Sequence, residues 1–253
     1  MSLINTKIMV KKALHNLGYT LERIDKPFYP TEISDSEKRI LDSVINARVS
    51  MVSRVGLINT MLTVRYVSQR SVPGDFVECG VWKGGNAILA AKLFQHYGDS
   101  RKVWLYDTFR GTTSPDINHD GRGPVEDFKR SERNGWNEIA FASLAEVQMN
   151  LKRFNVPLEA VEIVEGDVTQ TLNVKENLPE QISILRLDTD WFYSTKKELE
   201  VLYPLVQTGG CLIIDDYGYS DGSRKATDDY FSSTASRPFF HYTTKSIRTC
   251  IKE

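Results

Sequence analysis

From Pro73 onward, short apolar runs alternate with stretches of helical periodicity, and that alternation is the signature of a mainly parallel sheet wrapped by helices. Strands are expected at 75–80 (DFVECG), 102–107 (KVWLYD), 160–165 (AVEIVE), 182–188 (ISILRLD) and 210–215 (GCLIID), with a late pair near 238–243 and 246–251. Helices are expected between them at 84–97, 143–154, 194–203 and 222–233. The interval 110–138, rich in Gly, Pro and charge, reads as a long functional loop or lid. The fold class is therefore α/β: a Rossmann-like, mainly parallel seven-stranded sheet with helices on both faces. Before Pro73 the signal is helical. A Ser34-Asp-Ser-Glu37 capping box opens one helix with Ile40, Leu41, Val44 and Ile45 at helical spacing, and a second helix over 53–69 carries an apolar stripe. Residues 1–72 read as an N-terminal helical extension and 73–253 as the main domain.

Composition narrows the partners. With 41% apolar and 26% charged residues over 253 positions, the chain has the balance of a folded domain and not of a self-repelling disordered one. Its formal charge of -1 supplies no field to hold a polyanion, which argues against nucleic acid. The longest charge-free run, Val201 to Ile214, is 14 residues with a Pro and two Gly inside, whereas a membrane span needs about 20 apolar residues. The first residues lack an apolar core followed by a small-residue cleavage site, so the expected location is the cytoplasm. Cys79, Cys211 and Cys250 form no C-x-x-C and read as buried free thiols, and the scattered histidines support no zinc site.

The positions of acids matter more than their number. Ligands of an open parallel sheet bind beyond the carboxyl ends of its strands. Glu78 and Gly80 close the first strand, Asp107 the second, Gly166-Asp167 the third, Asp188 the fourth and Asp215-Asp216 the fifth. Any one such Asp reads as a helix cap or turn residue, but five at one rim are hard to explain as caps.

The first strand-turn-helix, Glu78-Cys-Gly-Val-Trp-Lys-Gly-Gly85, has glycines for a tight turn but lacks the G-x-G-x-x-G of dinucleotide binding. A pyrophosphate wants bare backbone N–H groups at a helix N-terminus, and Glu78 would repel it. S-adenosylmethionine carries a sulfonium and an ammonium and no phosphate, so an acid there is an asset. Asp107 is placed to accept both ribose hydroxyls and Asp167 to reach the adenine amino group.

A second constellation pairs Leu187-Asp188-Thr-Asp190 with Ile214-Asp215-Asp216-Tyr217. If the fourth and fifth strands are neighbours, about 4.8 Å apart, their terminal carboxylates can converge on one cation. Three hard oxygen ligands without His or Cys favour Mg2+, exchangeable with Mn2+ or Ca2+. Consecutive strand residues point to opposite faces, so Asp215 and Asp216 share the ion only if the strand has already turned; otherwise one of them caps the following segment.

The runs GDFVECGVWKGGNAILAA, VWLYDTFRG, LRLDTDWFYSTKKELEVLYPLVQTGGCLIIDDYG and KATDDYF together resemble the macrocin O-methyltransferase (TylF-type) family over roughly residues 34 to 245. That resemblance implies a class I methyltransferase fold and metal-dependent, S-adenosylmethionine-using methylation of sugar hydroxyls on glycosylated natural products. It implies Asp188, Asp215 and Asp216 as metal ligands and Asp190 as general base. It matches Glu78, Gly80, Gly84, Asp107 and Asp167 to cofactor positions, and Ser143 to a serine near the cofactor. It also implies that the N-terminal helical extension covers the substrate and forms the dimer. The sequence departs from the family at Thr112-Thr113-Ser114, where a Leu-Pro turn is usual, and in its final strands.

A sugar hydroxyl is a poor nucleophile at neutral pH, so such an enzyme must align it with the sulfonium methyl and help the proton leave. Asp190, two residues past Asp188, is placed to take that proton, or else to orient the metal site as an outer partner. Two other functions fit the same sheet: a metal-dependent O-methyltransferase of a catechol-like diol, and a non-catalytic cofactor-binding scaffold. Lid aromatics, here only Phe128 and Trp136, would favour the first, and a missing site acid would favour the second. The apolar stripe of 53–69 exceeds what one helix usually hides against a sheet, so a homodimer or higher homo-oligomer is expected.

Overall fold

The computed structural model describes residues 9, 10, 12–14, 16, 28–133, 136, 137, 140–234 and 237–253. The remaining parts of the expected N-terminal extension, and lid residues 134, 135, 138 and 139, lie outside the described residues. The chain divides into two compact units, Met1–Lys38 and Arg39–Glu253. In the first, the capping box forms: the Ser34 N–H donates to Glu37 Oε2 at 2.6 Å and the Glu37 N–H to Ser34 Oγ at 3.3 Å, opening helix α1 (Asp35–Ala47).

In the second unit the strands are β1 (Asp75–Cys79), β2 (Val103–Asp107), β3 (Glu132–Arg133), β4 (Trp136–Asn137), β5 (Val161–Glu165), β6 (Ile182–Leu187), β7 (Val206–Ile214), β8 (His241–Tyr242) and β9 (Arg248–Ile251). Seven of them form one sheet in the order β5-β2-β1-β6-β7-β9-β8. The pairs β5-β2, β2-β1, β1-β6 and β6-β7 are parallel, while β9 runs antiparallel to β7 and β8 to β9. Burial at every position of β6 is what a parallel strand covered on both faces requires.

The helices are α2 (Arg54–Gln69), α3 (Gly85–Tyr97), α4 (Arg122–Ser131), α5 (Leu144–Arg153), α6 (Val168–Thr171), α7 (Phe192–Val201) and α8 (Asp221–Ser232). Among the described residues no helix is long and apolar enough to cross a membrane. Ser53 caps α2, its Oγ accepting the Gly56 N–H at 3.2 Å. Leu57, Met61, Val64 and Val67 of α2 are buried as the helix packs on α3, β6 and β7, each contributing roughly 1.5–3 kcal/mol. Of the expected apolar stripe, Ile58 and Met61 are likewise buried inside the chain, whereas Val55 is exposed.

Two elements differ from expectation. β7 begins at Val206, four residues early, because Gln207-Thr-Gly-Gly210 hides the strand pattern. The lid is not a plain loop: α4 and the β3-β4 hairpin lie within it. Cys79, Cys211 and Cys250 are free and buried on β1, β7 and β9.

Candidate active site

The chain runs from β1 outward to β2 and β5 and then returns to lay β6 on the other side of β1, so strand order reverses between β1 and β6. This is where open α/β sheets open a crevice. Gly80 leaves β1 there with φ +82°, and a Cβ at that position would lie 1.9 Å from the Asp188 carbonyl oxygen. Only glycine lets the two strand ends approach so closely. Gly84 differs: its φ of +87° demands glycine, but a Cβ would meet only ordinary contacts, so it serves the turn into α3.

Asp107 closes β2 and organises that turn. Its Oδ2 accepts the N–H groups of Val81 at 2.6 Å and Trp82 at 3.1 Å, and its Oδ1 accepts that of Phe109 at 2.8 Å. Trp82 and Phe109 both have positive φ, +48° and +51°, so one carboxylate holds two left-handed residues in place. Burial raises the Asp107 pKa, and these three N–H groups pull it back. Asp167 caps α6 by accepting the Thr169 N–H at 2.8 Å, leaving its second oxygen free of that role. Ser143 caps α5 through the Glu146 N–H at 3.2 Å and does not reach the cavity wall, and neither does Gly84.

The aspartates of the fourth and fifth strands do converge. β7 ends at Ile214, so the chain has turned by Asp215 and Asp216. One carboxylate oxygen each from Asp188, Asp215 and Asp216 lie within 4.8 Å of one another. Asp190 joins them from the loop after β6, its backbone in the left-handed region at φ +66° and its N–H donating to Asp216 Oδ2 at 3.2 Å. Burial lifts the Asp190 carboxyl to about 6 and holds those of Asp188 and Asp216 well above the usual range.

Arg186, absent from the sequence reading, ties this cluster to β1. It is 1% exposed, and its Nη1 donates to Glu78 Oε1 at 2.8 Å and Asp188 Oδ2 at 2.7 Å, while Nη2 donates to Asp215 Oδ1 at 2.5 Å. Glu78 is equally buried and lies behind the cavity wall, not on it; its Oε2 has no hydrogen-bond partner, and burial pushes its pKa up to about 7. The detectable signal was a lone arginine inside a continuous apolar strand, since such charges are almost never fully buried unless paired.

A cavity of about 510 Å³, within the usual range for small-molecule sites, takes in both constellations. Gly80, Trp82, Asp107 and Asp167 line one part, and all four aspartates of the cluster another. Thr112 and Thr113, at the departure from the family pattern, also line it. The lid segment there is tethered by the Trp191 Nε1–H, which donates to the Thr113 carbonyl at 2.9 Å. The donor set suits a hard divalent cation, because the four aspartates offer only oxygen and a single guanidinium, bound to Asp188 and Asp215, stands against them. An adenosine-type cofactor without phosphate also fits, since no cationic side chain lines the cavity among the described residues.

The macrocin O-methyltransferase (TylF) family matches residues 13–238 of the chain. The chain belongs to that family. The enzyme is an O-methyltransferase, and its relatives include the 8-demethyl-8-(2,3-dimethoxy-alpha-L-rhamnosyl)-tetracenomycin-C 4'-O-methyltransferase of Streptomyces olivaceus, 33% identical over 228 residues, which cover 88% of this chain and 82% of that one. The demethyldecarbamoylnovobiocin O-methyltransferase of Streptomyces niveus is 33% identical over 182 residues, 72% of this chain and 67% of that one. Among solved structures, the O-methyltransferase NovP superposes with a TM-score of 0.74 at 25% identity, covering 85% of this chain and 99% of that one. The class I methyltransferase fold is therefore established for the enzyme.

Proposed function

We propose that the enzyme transfers the methyl group of S-adenosylmethionine to a sugar hydroxyl of a glycosylated natural product or glycan, with Mg2+ held by Asp188, Asp215 and Asp216. The observation that carries this reading is one cavity lined both by the glycine turn with Asp107 and Asp167 and by the four clustered aspartates. The relative from Streptomyces olivaceus, named for a rhamnosyl-bearing tetracenomycin, supports a sugar acceptor.

Each residue then has a task. Gly80 lets the cofactor approach the backbone, while Asp107 and Asp167 keep acceptor oxygens for ribose and adenine. A bound divalent cation lowers the pKa of the acceptor hydroxyl. Asp190, lifted by burial to about 6, is still mostly ionised at neutral pH and close enough to it to serve as an efficient base. The hydroxyl oxygen attacks the methyl carbon in line, the carbon–sulfur bond breaks, S-adenosylhomocysteine leaves and Asp190 takes the proton. Thr112 lines the cavity, its buried hydroxyl without a partner among the described residues, which suits an acceptor bearing several hydroxyls better than a flat diol.

The test is methyl transfer from labelled cofactor to a panel of glycosides and a catechol, with and without a chelator. Transfer to a glycoside that stops on chelation and returns with Mg2+ is expected. Transfer to the catechol alone would replace the sugar reading, and indifference to the chelator would remove the cation.

A further inference from the structure

The chemistry proposed above leaves one side chain of the site without a task. Arg186 stands in β6 between β1 and β7, its backbone registered with Glu78 on one side and Ile213 on the other. A guanidinium is permanently charged, and a positive charge beside a cation site weakens every divalent ion alike. Charge alone therefore gives the enzyme nothing at this position, whereas the geometry does.

The fork binds Asp188 through Oδ2 at 2.7 Å and Asp215 through Oδ1 at 2.5 Å, so in each carboxylate one oxygen is turned to the guanidinium by a charge-assisted hydrogen bond and the other is left free of it. Glu78 holds the same Nη1 from behind at 2.8 Å, and at 1% exposure the guanidinium has no solvent to swing into. Mg2+ demands near-ideal octahedral geometry at about 2.0–2.1 Å and keeps several waters, whereas Ca2+ takes six to eight oxygens at about 2.3–2.6 Å and uses carboxylates in two-oxygen mode. A site in which two of the three carboxylates are held to one-oxygen ligation suits the first ion better than the second.

We infer that Arg186 is a positioning residue that sets cation selectivity: by occupying Asp188 Oδ2 and Asp215 Oδ1 it confines both carboxylates to single-oxygen ligation and favours Mg2+ or Mn2+ over Ca2+. This rests on the divalent-cation reading of the site. Glu78 is the clamp that keeps the fork in place.

The experiment is calorimetry on chelator-treated full-length protein with Mg2+ alone and Ca2+ alone, checked by displacement of Mn2+ followed by electron paramagnetic resonance. R186K keeps the charge but offers a compact ammonium that cannot fork to both carboxylates. Its affinity for Ca2+ relative to Mg2+ is expected to rise by about tenfold or more, the scale on which outer partners tune metal ligands. E78Q, which removes the clamp's charge and leaves the fork, should shift the ratio the same way by less. A folded R186K whose ratio stays within about twofold of wild type overturns the inference while leaving Mg2+ binding intact. Should R186K fail to fold, E78Q decides by the direction of its shift, and an unchanged ratio there overturns the inference equally. Wild-type protein that binds neither ion overturns the cation reading itself.

Discussion

The two ends of the cavity treat their acids in opposite ways. At the end proposed for the cofactor, Asp107 accepts three backbone N–H groups and Asp167 one, so the chain uses these carboxylates to fix its turns. At the other end, Asp188 and Asp215 share the guanidinium of Arg186, and Asp216 accepts the backbone N–H of Asp190. The first end has its carboxylates anchored by backbone donors when the protein folds. The second crowds four carboxyls that oppose one another's ionisation, an arrangement a bound cation would relieve. An acid at a strand end thus says little about its role until its donors are counted.

The largest expected effect tests the unbalanced end. Asp188, Asp215 or Asp216 replaced by Ala should reduce cation-stimulated formation of S-adenosylhomocysteine to background, with cofactor affinity by calorimetry near wild type. Retained stimulation in all three would mean the cluster holds no cation. Next is D190N, which keeps size and polarity and tolerates the left-handed backbone; turnover should fall roughly 10²- to 10⁴-fold while cation affinity holds. Loss of cation binding in D190N would make Asp190 a ligand and not the base.

A smaller effect contrasts the ends in stability. D107A strands three N–H groups of the turn and should cost about 1–3 kcal/mol by urea denaturation. D216N, measured without cation, should cost nothing or stabilise, because it removes one of several mutually repelling charges. Equal losses in both would erase the distinction between the ends.

The last test concerns Glu198 on α7, an acid of a third kind. Wholly buried, it accepts the Thr189 hydroxyl at 2.9 Å through Oε1, has no partner for Oε2, and is pushed up to about 8 by burial. Its carboxyl binds a proton more tightly folded than unfolded, so the fold loses stability as pH rises from its ordinary 4.5 to about 8, by at most about 1.4 kcal/mol per unit. E198Q lacks this penalty, and its stability relative to wild type should climb between pH 5 and pH 8. A difference independent of pH would show that Glu198 does not titrate in that window.

Much of this was legible in the sequence where local pattern decides structure. The five parallel strands announce themselves as apolar runs ending in an acid, and β1, β2, β5 and β6 fall within a residue of expectation. The α4 helix escaped because Arg122-Gly-Pro-Val-Glu-Asp-Phe-Lys-Arg-Ser131 buries only Phe128, too little for a periodic signal. Strand ends located all four clustered aspartates, yet not the partners that distinguish them. The Glu78–Arg186 pair spans 108 positions, and no spacing rule reaches that far. Asp120 was missed for the same reason: buried, it accepts the Phe192 N–H at 2.8 Å and so fastens the lid to the start of α7.

The three cysteines turn the sheet into its own clock. Cys79 lies in β1, Cys211 in β7 and Cys250 in β9, all buried, with burial pushing the Cys211 and Cys250 thiols up to about 12 and the Cys79 thiol well above its ordinary value. Thiolate is the reactive form, so alkylating reagents and air should leave the native enzyme untouched. Reagent uptake then requires the sheet to part, and its rate reports how often strands open, without any introduced label. Because the thiols sit on both sides of β6, mapping which one reacts first would tell whether the sheet frays from its antiparallel edge or comes apart at the strand that carries Arg186.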